Sequence, residues 1–188
     1  EHLLVAGTHD TLLCFTNEGK VYWLRVFELP QGGRASRGKP IVNLIPALKP
    51  EERTTAILRL EAEMVRQKNA AEDDEEVDAD SEVETAELVE EDDGADSEPQ
   101  AAEGPFIFMA ISNGVVKRTE LAKFAKPRSS GLIAVRLQEG EHLVNVAITQ
   151  GDEDVVLVAG NGKVVRFKES KVRVMGRTAR GVRGMKVA

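Results

Sequence analysis

The chain holds 188 residues, 25 of them Lys or Arg and 32 Asp or Glu, for a formal charge of −7. Seventeen of the acids lie between Glu72 and Glu103, a tract without Lys or Arg, so the rest of the chain sets 15 acids against all 25 bases and carries +10. Such a tract cannot build a core, the lone Cys14 excludes an intrachain disulfide, and the lack of any run of about 20 apolar residues excludes a helical membrane span.

Short runs rich in Val, Leu, Ile and Phe recur from the start of the chain. Residues 3–8, 11–16, 20–27 and 40–45 read as four strands, separated by His9-Asp10, by the turn Asn17-Glu18-Gly19 and by a loop over 30–39. Cys14 falls inside the second run and reads as a small buried hydrophobe. A second set follows at 54–60, 106–112, 115–121 and 132–137, and a third at 143–149, 155–159, 163–168 and 182–187. The chain opens within a strand pattern and closes on one, which reads as an internal fragment. Nothing resembling the basic flank of a signal peptide precedes Leu3, and a reducing cytoplasmic setting fits this composition.

These runs are copies of one unit. Hairpin glycines Gly19, Gly114 and Gly162 are each followed, seventeen to nineteen residues on, by Gly38, Gly131 and Gly181, reached through an Arg-bearing loop. Gly114 and Gly162 are 48 residues apart and Gly19 and Gly114 are 95 apart, so one unit plus the acidic surplus separates the first two copies. Four short strands at such a period predict an all-β, propeller-like array of four-stranded antiparallel blades. Residues 1–48 form blade one, 49–141 blade two with an insertion at about 61–105, and 142–188 blade three, together one partial domain present as an open arc. The insertion is placed between the first two strands of the second unit, where the third unit has only the turn 150–154. Its low apolar content predicts disorder, with a short helical stem over 60–71.

Basic residues gather in the loop between third and fourth strands of each unit. The candidates for a polyanion contact are Arg34, Arg37 and Lys39 in the first, Lys123, Lys126 and Arg128 in the second, and Lys171, Arg173, Arg177, Arg180 and Arg183 in the third. Lys117, Arg118, Lys163 and Arg166, near the hairpin turns, extend the set, and Lys20 adjoins it. If the repeat brings equivalent loops to equivalent edges, these cations line one rim. They meet phosphates rather than base edges, with weak sequence preference and strong salt dependence. For Arg37, Arg128 and Arg180, bracing of the loop and contact with nucleic acid are equal alternatives.

No catalytic or metal site is expected. His2, His9 and His142 occur in unlike contexts without metal-ligand spacing, and Tyr22 shows no acid-base partner nearby. Gly160-Asn161-Gly162-Lys163 superficially suggests a phosphate loop but lies in a hairpin rather than between strand and helix. Asp152-Glu153-Asp154 reads as a solvated turn.

With the repeat laid out, the chain resembles the C-terminal domain of the bacterial DNA gyrase A protein. The stretches that carry the resemblance are Leu3-Leu4-Val5-Ala6-Gly7-Thr8-His9-Asp10, Arg37-Gly38-Lys39-Pro40-Ile41-Val42-Asn43-Leu44, Gly114-Val115-Val116-Lys117-Arg118-Thr119, and Gly162-Lys163-Val164-Val165-Arg166-Phe167 with Met175-Gly176-Arg177 and Gly181-Val182-Arg183-Gly184. The resemblance implies a β-pinwheel whose blades exchange strands and whose basic perimeter wraps double-stranded DNA. It also implies a non-catalytic part of an ATP- and Mg-dependent type IIA topoisomerase that introduces negative supercoils, with the rest of gyrase A and gyrase B as partners. No cofactor belongs to this piece and no membrane is involved.

The family's seven-residue basic box of the type Gln-Arg-Arg-Gly-Gly-Lys-Gly does not occur here, three units are fewer than the ring of about six that the resemblance implies, and the acidic insertion departs from the family's tight turn. That insertion either competes with phosphate for the cations, directs the path of DNA by repulsion, or is inert. The alternative functions are a propeller-type scaffold whose acidic loop recruits basic proteins and the corresponding C-terminal domain of topoisomerase IV.

Overall fold

The computed structural model describes residues 3–61 and 104–187. Among these, ten strands and four short 3-10 turns are present and no α-helix: β1 (Thr11–Thr16), β2 (Lys20–Arg25), β3 (Thr54–Leu60), β4 (Phe106–Ile111), β5 (Val115–Glu120), β6 (Leu132–Ile133), β7 (Leu143–Thr149), β8 (Asp154–Val158), β9 (Val164–Lys168) and β10 (Val182–Arg183). The all-β expectation holds. The acidic tract and nearly all of its predicted helical stem lie outside the described residues.

Three tight hairpins, β1–β2, β4–β5 and β8–β9, form the repeating unit, with glycines at positive φ closing the turns. Each hairpin has two open edges, and two of the three acquire a strand on both. The first sheet runs β3-β1-β2-β6 and the second β10-β5-β4-β7, while β8-β9 stands as a two-stranded sheet. The longer added strands, β3 and β7, pair along the first hairpin strand over its whole length. The shorter ones, β6 and β10, are two-residue straps that reach back from the following unit. This is the strand exchange that the resemblance implies.

Sheet membership therefore differs from the grouping by sequence order. The 54–60 strand and the 132–133 strap both join the first hairpin, across position 48, and the 143–149 strand joins β4, across position 141. The acidic insertion consequently links one sheet to the next instead of closing a hairpin within one. Two expected strands are not strands. Residues 3–7 join no sheet, with Leu3 and Val5 exposed and the Val5 carbonyl accepting from Arg59, and Ile41–Asn43 form a 3-10 turn. The apolar side chains of that turn region serve as a lid instead: Ile45 and Leu48 are buried over Leu12, Cys14, Tyr22 and Leu24 on the outer face of the first sheet.

Packing follows from alternation along the strands. Leu13, Phe15 and Val21 of the first sheet meet Ile107, Met109 and Ile111 of the second in the main core, where the Phe15 and Phe124 rings lie edge to face at 6.1 Å. The opposite face of the second sheet, through Phe108 and Val116, meets Val155, Leu157 and Phe167 of the third. The second sheet is thus buried on both faces, which explains the unbroken apolar run of β4.

Each strap enters at a glycine that the geometry demands. Gly131 has φ +76° and lies flat on the Tyr22 ring, where an added Cβ would approach within 2.5 Å; Gly181 has φ +104° and would meet the Val116 carbonyl oxygen at 2.5 Å. Gly38, with φ +70°, has open space around it. The expected outcome is that Gly131→Ala loses about 2–4 kcal/mol from strain and overpacking together, whereas Gly38→Ala loses only the conformational part, about 1 kcal/mol. Urea unfolding midpoints of the two variants measure this, and equal losses would contradict it.

Candidate nucleic-acid interface

The register places the basic loops. Arg25 at the end of β2 faces Thr11, which faces Leu60 on its other side; Glu120 at the end of β5 faces Phe106, which also faces Thr149. One end of each sheet therefore launches a loop from its second hairpin strand, and each loop starts with a 3-10 turn, at Val26–Glu28, Leu121–Phe124 and Glu169–Lys171. Each then reaches a glycine at positive φ, at Gly38, Gly131 or Gly181. The straps after Gly131 and Gly181 pair with the hairpin end of the preceding sheet. The loops span the sheets from one end to the other along their margins.

Most candidate cations stand in water on these loops. Arg34, Arg37, Lys39, Lys123, Lys126, Arg128, Lys171, Arg173, Arg180 and Arg183 are exposed, and Arg177 is half-buried. Lys163 is exposed too, but at the hairpin turn, the end of the third sheet opposite to the one from which the loop with Lys171 departs. Arg166 is exposed and engaged: its Nη2 lies 3.1 Å from the Asp154 carboxylate, which Lys168 also approaches at 3.4 Å. Slight burial works against it, yet these two partners hold the Asp154 carboxyl below its ordinary range. The exposed Lys123–Glu120 pair at 3.8 Å contributes little to stability.

Two candidates are corrected. Lys117 has no exposed surface, and its Nζ donates to the Ala134 carbonyl at 2.7 Å and to the Arg177 carbonyl. Arg118 is 9% exposed, stacks its guanidinium 4.7 Å from the centre of the Phe106 ring and lies 3.5 Å from Glu169. Neither can reach a phosphate in this arrangement, because strap and loop close over strand β5 from both sides. Both tie the loops to the sheets. Burial pushes the Glu169 carboxyl up, against the pull of Arg118.

A similar tie in the first sheet corrects the reading of Tyr22. Its hydroxyl donates to Glu52 Oε2 at 3.2 Å and to the Ala47 carbonyl at 3.3 Å, while Thr16 donates to Glu52 Oε1 at 2.6 Å. Burial and the Glu52 carboxylate push the Tyr22 phenol up to about 12, which leaves it a neutral donor. Cys14 is buried, and its thiol is pushed up to about 11 by that burial. His9 and His142 are exposed, His2 lies outside the described residues, and no group of His, Cys, Asp and Glu able to hold a metal occurs among the described residues.

Arg136 and Lys186 were missed from the sequence. Both are exposed and lie five residues beyond their strap glycines, Gly131 and Gly181, so the offset within the repeat was the signal that could have found them. Arg53 and Lys49, exposed in the first loop, carry no such signal because the second and third units have no counterpart of that loop's length.

A family model described as "DNA gyrase C-terminal domain, beta-propeller" matches residues 10–61, 106–150 and 153–188. The DNA gyrase A protein of Pseudomonas aeruginosa is 50% identical over 193 aligned positions, covering 100% of this chain and 21% of that protein. The chain thus spans about a fifth of the length of that curated relative. Among solved structures, the C-terminal domain of DNA topoisomerase IV superposes with a TM-score of 0.67 at 26% identity, covering 96% of this chain and 44% of that one. The DNA gyrase A C-terminal domain superposes at 0.61 and 20% identity, covering 97% and 45%. Sequence likeness therefore favours gyrase A over the topoisomerase IV reading.

The buried Lys117 ammonium generates a stability signature. Burial first, then the nearby Arg177 and Lys123 charges, lower it from 10.5 to about 7, so above that pH the unfolded chain binds more protons than the folded one. Stability should then rise with pH from about 7, up to about 8.5, before unfolded Cys and Tyr begin to ionise. Thermal unfolding of the wild type and Lys117→Met across that window checks this. The wild type should gain and the variant stay flat; parallel curves would contradict it.

Proposed function

The chain belongs to the DNA gyrase C-terminal domain family, and we propose on that premise that it binds duplex DNA through phosphate contacts and bends it along the exposed basic loops. The observation that supports this most directly is the equivalent placement of those loops. Each leaves the same end of its sheet, and the cations on them are solvent-facing rather than spent on internal ion pairs. Bending a site of 20–30 base pairs costs on the order of 1–6 kcal/mol, a sum that about a dozen phosphate contacts at low salt can offset. In the parent enzyme such a bent segment would favour one sense of crossing at the strand-passage core and so bias it toward negative supercoils.

The chain's own part in this is non-catalytic. Nucleotide and magnesium chemistry are assigned to the remainder of the parent enzyme, with the rest of gyrase A and gyrase B as partners and the nucleoid in the cytoplasm as its place of action. No helix among the described residues is long and apolar enough to cross a membrane.

The acidic insertion modulates this binding. Its described flanks, Glu61 and Gly104, emerge at the sheet ends from which the basic loops start, and the Pro105 carbonyl accepts a hydrogen bond from Leu121 N–H at 3.0 Å, two residues before Lys123. Beside the shorter equivalent connection, over 150–153, the Asp154 carboxylate at the start of β8 pairs with Arg166 and Lys168, and Lys168 also donates to the backbone carbonyl of Asp152. Competition between carboxylates and phosphates for the loop cations is the mechanism this supports.

Two measurements test the proposal. Duplex affinity should fall steeply and log-linearly with salt, with little difference between unrelated sequences, and a flat salt response would contradict phosphate-driven binding. Removing residues 72–103 should tighten binding at low salt, and unchanged affinity would leave the insertion without a modulating role.

A further inference from the structure

Lys117 is the only buried lysine among the described residues, and it occupies a joint of the fold. It lies three residues after the hairpin glycine Gly114, as Tyr22 lies three after Gly19. Both spend their polar heads on carbonyls of passing loops. The Tyr22 hydroxyl reaches Ala47 of its own loop, whereas the Lys117 ammonium reaches two different segments: Ala134, on the strap that completes the first sheet, and Arg177, on the loop leading to the strap that completes the second.

The charges that act on it directly are both positive. Arg177 faces it from the loop before β10 and Lys123, itself 3.8 Å from the Glu120 carboxylate, from the 3-10 turn after β5, and no carboxylate pairs with Lys117 among the described residues. The side chain of Arg118, next along the strand, is engaged instead with Phe106 and Glu169. Three cationic groups therefore gather where two basic loops are joined, one of them enclosed and two within reach of solvent.

We propose that Lys117 is a positioning residue for polyanion binding: it joins the Arg177 loop to the Ala134 strap, and it takes up a proton when phosphates settle on Arg177 and Lys123. This rests on the reading that the basic loops bind DNA. The free protein holds the ammonium down to about 7, through burial and through those two charges. Phosphate next to Arg177 and Lys123 offsets the repulsion between the three cations and leaves the desolvation cost unchanged. Protonation of Lys117 and occupancy of the loops then favour each other, and by linkage each must strengthen the other equally.

The experiment is a calorimetric titration of the protein with a short duplex at low salt, in two buffers of different ionisation enthalpy, at about pH 8 and about pH 6. The difference in heat between buffers counts protons. A net uptake is expected at about pH 8, since the free amine is mostly neutral there, and at about pH 6 the Lys117 contribution vanishes because the group is already charged. Lys117→Met should lose the uptake at about pH 8 while still binding duplex. If that variant does not fold, Lys123→Gln and Arg177→Gln, altered at the loop surface, should each reduce it. Binding with equal heats in both buffers at about pH 8, or an uptake undiminished by Lys117→Met or by both loop variants, would overturn the inference and leave the DNA reading in place. Absence of any duplex binding would overturn both.

Discussion

A two-stranded hairpin has two unpaired edges, and everything else in this structure depends on how those edges are satisfied. One edge receives a full-length strand from the chain that follows, and the other receives a two-residue strap from the next unit. The few backbone hydrogen bonds of so short a strap would not hold it against solvent competition. The straps persist because each is fastened elsewhere: Gly131 lies on the Tyr22 ring, Gly181 on the Val116 backbone, and Lys117 grips the carbonyls of Ala134 and Arg177. Exchange also makes neighbouring sheets mutually dependent, since neither four-stranded sheet is complete without residues from the unit after it.

The same devices give the margin its chemistry. A loop anchored at its start by a 3-10 turn and at its end by a strap has little freedom in between, so its Lys and Arg side chains are presented from a fixed backbone. Polar groups inside, namely Tyr22 with Glu52, Lys117 with two carbonyls, and Arg118 with Glu169 and Phe106, keep the backbone in place while their neighbours face water. Stability and display are divided between adjacent residues of one pattern. Lys117 and Arg118 hold, whereas Lys123, Lys126 and Arg128, a few residues on, face water.

Strands buried on both faces were the most legible part of the sequence. The run Phe106-Ile107-Phe108-Met109-Ala110-Ile111 admits one reading because the second sheet is enclosed by the first and third, and the hairpin glycines mark its turn. Straps were less legible, since Leu132-Ile133 and Val182-Arg183 look alike whichever edge they join, and only tertiary placement assigns them to the preceding sheet. Residues 40–45 misled for a related reason: Ile41, Leu44 and Ile45 are apolar because they cover a sheet face, which a 3-10 turn does as well as a strand. On the loops, exposed cations followed from the repeat, but Lys117 and Arg118, close behind the hairpin glycine, read as further cations of the same set. Their burial is set by loops far off in sequence, and no local pattern announces that.

Bending a duplex in the proposed way requires loops on successive sheets to act on it together. Energy transfer between dyes at the two ends of a duplex of about 30 base pairs, recorded as the protein is added at low salt, tests this most directly. The ends should draw together on binding, and neutralising Lys123, Lys126 and Arg128 together should restore much of the separation. Saturable binding with the end-to-end distance of free DNA would contradict such bending.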